Sequence, residues 1–293
     1  MTPAQWYLRH APGSLGKARL ADRVDRALQD RPRPFSATTR FGAQLAGTTT
    51  DLLQRYVYAF GVWEPNLTSW MASRLRPGDT FVDVGANIGY FSLLAAPLVR
   101  PGGTVVAIEA SPSIFAALAD NVARNPDRNV RVVNVAACDT RRSLPVWLAG
   151  PAHLGATTTA DSLGRTWEAQ VEGRPLPEIL SLDEQRGARL IKIDVEGSEA
   201  AVVRGLMPLL AAARPDLELV VEVNGSHAPV GDAADDLIDA LCGRGFHLYE
   251  IPNDYAPSSV ATTRRPARPI RCTSNPGSRA ADLVFSPIDA PHL

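Results

Sequence analysis

The 293-residue sequence predicts an α/β fold: a doubly wound, mostly parallel seven-stranded sheet with helices on both faces. Three observations carry that prediction. Short apolar runs recur from residue 80 onward, several of them apolar nearly throughout, as strands covered on both faces must be. Helical patterns separate most of these runs, and strand–helix alternation builds parallel sheets with right-handed crossovers. Hydrophobic residues make up 45% of the chain, enough to bury a large core.

Residues 1–55 are rich in Arg, Pro, Thr and Gly and read as an N-terminal helical arm with loops, amphipathic from about Ser14 to Leu28. The arm is expected to serve as a lid or as a homodimer contact. The main domain is expected over 56–293, opening with a helix from Leu67 to Leu75 that Arg76-Pro77-Gly78-Asp79 stops as a turn. Strands are expected at Thr80–Val84, Thr104–Glu109, Val130–Ala136, Leu190–Val195, Leu217–Val223, Phe246–Ile251 and Asp282–Phe285. Helices are expected at Tyr90–Val99, Ser113–Arg124, Ser198–Ala213 and Asp232–Arg244. The stretch from about 140 to 188 is too long for a simple connection, and long insertions beyond strand ends are often binding loops. It reads as a cap over the site.

Formal net charge is −1 and the pI is near 6.5; of the basic residues only Lys17 and Lys192 are lysines. No global field draws nucleic acid or an anionic membrane, so neither is an expected partner. Cys138, Cys242 and Cys272 are scattered, without metal-ligand spacing or a disulfide framework. The N-terminus shows no apolar leader, and no run approaches the ~18 apolar residues of a membrane span. The chain is therefore expected to be soluble and cytoplasmic.

The first strand of the main sheet runs into Asp83-Val84-Gly85-Ala86-Asn87-Ile88-Gly89-Tyr90. Glycines at 85 and 89 allow a tight turn and a close ligand approach to the next helix. A dinucleotide site prefers a middle glycine where Asn87 stands, and Asp83 suits an amino-bearing or cationic ligand better than a pyrophosphate. The second strand ends in Glu109-Ala110-Ser111, with Glu109 about 20 residues beyond the loop, where an acid can hold ribose hydroxyls. A nucleoside with a positive, non-phosphate tail fits both acids, and S-adenosylmethionine is such a molecule. A nicotinamide-dependent oxidoreductase and a non-catalytic nucleoside-binding fold are the alternative readings.

The blocks Gly61-Val62-Trp63-Glu64-Pro65, Thr80 to Tyr90, and Ile191-Lys192-Ile193-Asp194-Val195-Glu196-Gly197-Ser198-Glu199 resemble the FkbM family of class I methyltransferases. The resemblance covers roughly residues 55–287, including Ser181-Leu182-Asp183, and implies a Rossmann-like fold and S-adenosylmethionine as methyl donor. Family members are similar in methylating oxygen, typically hydroxyls of natural products, sugars or glycans. The resemblance further implies that Asp83, Gly85, Asn87, Gly89 and Glu109 hold the cofactor, with Ala137 against the adenine. Glu64, Tyr90, Ala110, Ser111 and Asp194 complete the candidate set.

Methyl transfer from a sulfonium is an in-line displacement, and a hydroxyl acceptor needs a general base or a metal to become a nucleophile. Asp194, Glu196, Glu222 and Asn224 follow two strand ends that border the crevice of Gly85. Asp194, Glu222 and Asn224 supply oxygen ligands suited to Mg²⁺. Alternatively Asp194 fixes the methionine amino group and Glu222 pairs with an arginine. Asp194, Glu196, His153 and His227 are the catalytic candidates, the histidines because they titrate near working pH. Lys192 alternates with two isoleucines and is expected to pair with a nearby acid.

Overall fold

The computed structural model describes residues 1–160, 164–223, 233–263, 265–275 and 281–293. Helices α1 (Pro3–His10) and α2 (Lys17–Asp30) come first, then a hairpin of β1 (Pro34–Thr38) and β2 (Gln44–Thr48), then α3 (Leu52–Phe60) and α4 (Pro65–Arg74). The hairpin departs from the expected helices and loops. Its amides are satisfied from two sides. β1 pairs with β2 antiparallel, and Ala46 and Gln44 donate their backbone N–H groups to the side-chain carbonyls of Asn121 and Asn125 at 2.8 and 2.9 Å. Leu8, Ala21 and Leu28 of the first two helices pack on Tyr56 and Phe60 of α3.

The main sheet follows: β3 (Thr80–Val84), α5 (Tyr90–Leu98), β4 (Thr104–Glu109), α6 (Pro112–Ala123) and β5 (Val130–Asn134). After β6 (Ala136–Ala137) comes the stretch expected to form the cap, with β7 (Arg142–Leu148), β8 (Thr166–Arg174), α7 (Leu176–Ile179) and α8 (Leu182–Gly187). The chain returns to the sheet with β9 (Ala188–Ile193), α9 (Glu199–Leu210), β10 (Glu218–Val223), α10 (Ala233–Cys242), β11 (His247–Ile251), α11 (Pro257–Thr262), β12 (Ile270–Arg271) and β13 (Ala281–Ser286).

The strand order is β12-β11-β13-β10-β9-β3-β4-β5. All seven expected strands are present, and the two-residue β12 adds an eighth at one edge. β10, β9, β3, β4 and β5 run parallel, whereas β13 lies antiparallel to both neighbours. Every residue of β3 and β9 is buried. Alternation sorts their side chains to two faces. Val82, Val84, Ile191 and Ile193 pack with Val202 and Leu206 of α9, while Phe81 and Leu190 pack with Met71 of α4 and Leu93 of α5. This is the two-sided cover that near-continuous apolar strands demand. No described helix is long and apolar enough to cross a membrane.

The order of strands reverses between β3 and β9: the chain leaves β3 toward β4 and β5, then returns through the cap to β9 on the other side. Ligands of open α/β sheets lie in the crevice at such a switch point, beyond the carboxyl ends of the strands.

Candidate active site

The loop after β3 is shaped by what surrounds it. Gly85 takes φ +80°, and a Cβ there would stand 1.7 Å from the carbonyl oxygen of Asp194, so only glycine lets β3 and β9 end this close together. Asn87 also has positive φ, +49°, and its side-chain oxygen accepts the next backbone N–H, from Ile88. Asn87 N–H donates to Glu109 Oε2 and Ser111 N–H to Glu109 Oε1, both at 2.9 Å. Two amides thus aim the carboxylate at the end of β4, and burial, against their pull, raises it to about 7.

A cleft of about 590 Å³ opens here, lined by Gly85, Asn87, Glu109, Ala110, Ala137 and Asp194 below and by Val146, Leu154 and Thr157 of the cap above. Asp83, next to the lining residue Val84, is 1% exposed and lines neither this cleft nor the one beside it. Its Oδ2 accepts the Ser92 hydroxyl at 2.5 Å, while Oδ1 has no donor among the described residues. A buried acceptor without a donor, a glycine cradle and an acid aimed where hydroxyls can reach it fit a nucleoside carrying an amino group. The residues present therefore suit S-adenosylmethionine.

A second cleft of about 700 Å³ adjoins the first and shares Asn87, Gly155 and Asp194 with it. Leu52 and Leu53, Trp63, His153, Glu196, Glu222 and Tyr255 form its walls. Trp63 and Tyr255 stack with ring centroids 5.4 Å apart at 30°, and the Tyr255 hydroxyl donates to Glu64 Oε1 at 2.9 Å. Among the described residues, three non-glycines have positive φ, namely Glu64, Asn87 and Glu196, and all three line this cleft. Strained backbone collects at functional sites because the surrounding packing must hold it there.

Charge in this cleft is one-sided. Lys192, buried beneath it, pairs with Asp194 Oδ2 at 2.7 Å and lies 5.0 Å from the Phe91 ring centre. Its pKa is raised despite burial, because Asp194, Asp83, Glu64 and Glu222 all face it. Glu64 and Glu222 are pushed well above the usual carboxylate range by burial and by one another's neighbourhood, including Asp282, itself lifted by burial to about 7. The oxygens of Asp194, Glu196 and Glu222 come within 4.8 Å of one another, a grouping able to hold a metal ion.

Of the residues expected from sequence to hold cofactor, Gly85, Asn87, Glu109, Ala110, Ala137 and Asp194 line the first cleft. Glu64 stands in the second instead, because its left-handed conformation at the start of α4 turns it toward Tyr255. Gly89 starts α5 with φ +92° and lines neither cleft. Ser111 is buried as the N-cap of α6 and acts on the cleft through its amide. Tyr90 is the clear departure. Its ring sits in the core between Phe41 and Phe91, with its hydroxyl 3.1 Å from that of Thr68, so it reaches neither cleft. His153 is exposed at the rim of the second cleft; His227 and Asn224 lie outside the described residues. Lys192 makes the ion pair expected of it.

Sequence reasoning missed Asp51 and Tyr255. Asp51 was legible as an N-cap, since its Oδ1 accepts Gln54 N–H at 3.0 Å; its other oxygen, accepting Leu154 N–H at 3.0 Å from the cap, was not. Nothing in the local sequence around Tyr255 signals its place.

A model of the FkbM methyltransferase domain matches residues 83–248, more than half of the chain. A model of protein-L-isoaspartate(D-aspartate) O-methyltransferase matches residues 22–143. No curated protein matches. Among solved structures, the chain is similar to the methyltransferase FkbM of Methylobacillus flagellatus KT, at 16% identity and a TM-score of 0.41, covering 74% of this chain and 50% of that one. The chain thus spans half the length of that protein. It is also similar to an O-methyltransferase of Bacillus cereus in complex with SAH, at 13% identity and a TM-score of 0.45, covering 92% and 98% of the two chains. A putative rRNA methylase of Clostridium thermocellum aligns at 9% identity and a TM-score of 0.46, over 77% and 97%. The FkbM match runs from Asp83 through the glycine loop and the Lys192–Glu199 block to β11, and the chain belongs to the FkbM methyltransferase domain family.

Proposed function

We propose that the chain methylates a hydroxyl oxygen of a polyhydroxy acceptor, a sugar, glycan or natural product, seated in the cleft of Trp63, Glu64, Glu222 and Tyr255. The carrying observation is that this cleft meets the nucleoside cleft at Asn87, Gly155 and Asp194. An in-line transfer needs such a junction, with the acceptor held about 3 Å from the methyl carbon. S-adenosylmethionine, when bound, supplies an electrophilic methyl on a sulfonium. Glu109 would hold the ribose hydroxyls, and Asp194 on the same lining would favour the amino group and sulfonium charge. The stacked rings of Trp63 and Tyr255 offer a face to an acceptor ring. The acceptor's proton passes to a carboxylate of the cleft. Glu222 suits that role by position, since it lines this cleft, whereas Asp194 is committed to Lys192. His153, at the rim, is the alternative base. The carboxylate-lined wall disfavours a phosphate backbone as acceptor. Acceptor choice then rests on the edge of the N-terminal arm, Asp51 to Leu53, and on the cap.

A second reading, favoured by the clustering of Asp194, Glu196 and Glu222, places Mg²⁺ on those oxygens, where it would lower the pKa of a bound hydroxyl. One assay series addresses both. Labelled S-adenosylmethionine is offered with a panel of polyols and of amines, with and without excess chelator. Label is expected on polyols, and Glu222→Gln should lower kcat about 100-fold while leaving SAH affinity nearly unchanged. Label on amines alone overturns the acceptor assignment; full activity in chelator rejects the metal and keeps the transfer.

A further inference from the structure

Glu168 stands half-buried on β8 of the cap and reaches across to the start of α6. The Ser111 hydroxyl donates to its Oε2 at 2.6 Å, and the Ser113 backbone N–H donates to its Oε1 at 2.9 Å. A carboxylate at a helix N-terminus meets the positive end of the helix and its unpaired amides, and hydrogen bonds to an ionised oxygen are about twice as strong as neutral ones. Ser111 is also the residue whose own N–H aims Glu109. The cap strand is therefore joined, through one serine, to the acid of the nucleoside cleft.

The rest of the cap is tied down on the opposite side of that cleft. The Thr158 hydroxyl donates to the Glu196 carbonyl at 2.5 Å, and Leu154 N–H donates to Asp51. Val146, Leu154 and Thr157 of this segment roof the cleft. β8 is also held at its far end, where it pairs with β6 at Gly173 and Arg174, so Glu168 fastens the end of the strand that lies toward Glu109.

We propose that Glu168 is a positioning residue that latches the cap over the cofactor and holds Ser111, and through it Glu109, in place. The proposal rests on the reading of the first cleft as the S-adenosylmethionine site. It concerns cofactor retention and is independent of which acceptor is methylated.

The experiment measures SAH binding by calorimetry and its dissociation by stopped flow, in the wild type, Glu168→Ala, Glu168→Gln and Glu109→Gln. Loss of a charge-assisted bond at a part-buried site predicts about 10-fold weaker binding in Glu168→Ala, expressed in faster dissociation. Glu168→Gln keeps an acceptor for Ser113 and a donor for Ser111, so it should lose only about 3-fold, and it carries the test if the alanine variant folds poorly. In turnover, the KM for S-adenosylmethionine should rise while kcat at saturation stays within about 2-fold, a split that a general loss of stability does not produce. Weaker binding in Glu109→Gln with unchanged binding and dissociation in both Glu168 variants overturns the latch alone. Unchanged binding in all three variants overturns the latch and the placement of the cofactor together.

Discussion

The Glu109 carboxyl is 7% exposed, and burial lifts it to about 7 although two backbone amides favour its charge. The folded chain thus prefers the protonated acid. That contribution to stability is fully present below the ordinary value of 4.5 and is lost as pH rises through 7. Ribose hydroxyls donating to the ionised carboxylate reverse the preference, so cofactor affinity should run the other way. SAH is expected to bind several-fold more tightly at pH 8 than at pH 6, and Glu109→Gln should flatten that dependence. The same substitution should make the fall in apo-protein Tm between pH 5 and 8 shallower. A pH profile of SAH affinity unchanged by Glu109→Gln removes the acid from the cofactor's contacts.

At the scale of elements, α9 shows how packing overrules propensity. Gly205 lies inside this helix, where alanine is ordinarily preferred by about 1 kcal/mol. Here a Cβ would stand 2.0 Å from the carbonyl oxygen of Cys138, which the turn after β6 presses against the helix. Gly205→Ala is therefore expected to destabilise the protein by about 2 kcal/mol in urea melts, reversing the usual sign. The N-terminal hairpin makes the same point. Residues 34–48 carry too few apolar residues to announce two strands, and what fixes them is the pair Asn121 and Asn125, some 75 to 81 residues away on α6. Long-range polar pairing of this kind leaves no local periodicity.

The whole molecule divides its charges between two ends of the sheet. At the carboxyl end, acids outnumber Lys192 and wait for a ligand. At the other end Glu218, 0% exposed, accepts from Arg74 at 2.7 and 2.5 Å, from Arg189 at 2.9 Å and from the Ser286 hydroxyl at 2.8 Å. That network ties α4, β9 and β13 to the first residue of β10. Removing the shared acceptor leaves the part-buried Arg74 without its carboxylate and Arg189 with only the longer contact to Asp216 at 3.4 Å, so Glu218→Ala should cost about 3 kcal/mol in denaturant melts. The activity of the fraction that remains folded should be unchanged, since no atom of the network borders either cleft. A melt indistinguishable from wild type removes the network from the fold's supports.

The seven strands and their helices were legible in the sequence, because burial on both faces forces apolar runs and a tight turn after β3 forces glycine. The cap's position was legible only as an excess of length. The second cleft was legible only in part. The strand-end rule set Asp194, Glu196 and Glu222 at one crevice, but nothing local joined Trp63, Glu64 and Tyr255 to them. Closure of the sheet at its switch point, with β9 set beside β3, brings them to one wall. Tyr90 shows the converse, a motif residue that backbone geometry turns into the core. Sequence determined which chemistry the strand ends could carry, through short-range constraints of burial and turn geometry. The tertiary structure decided which of those groups meet, because contact between distant segments depends on how the layers pack.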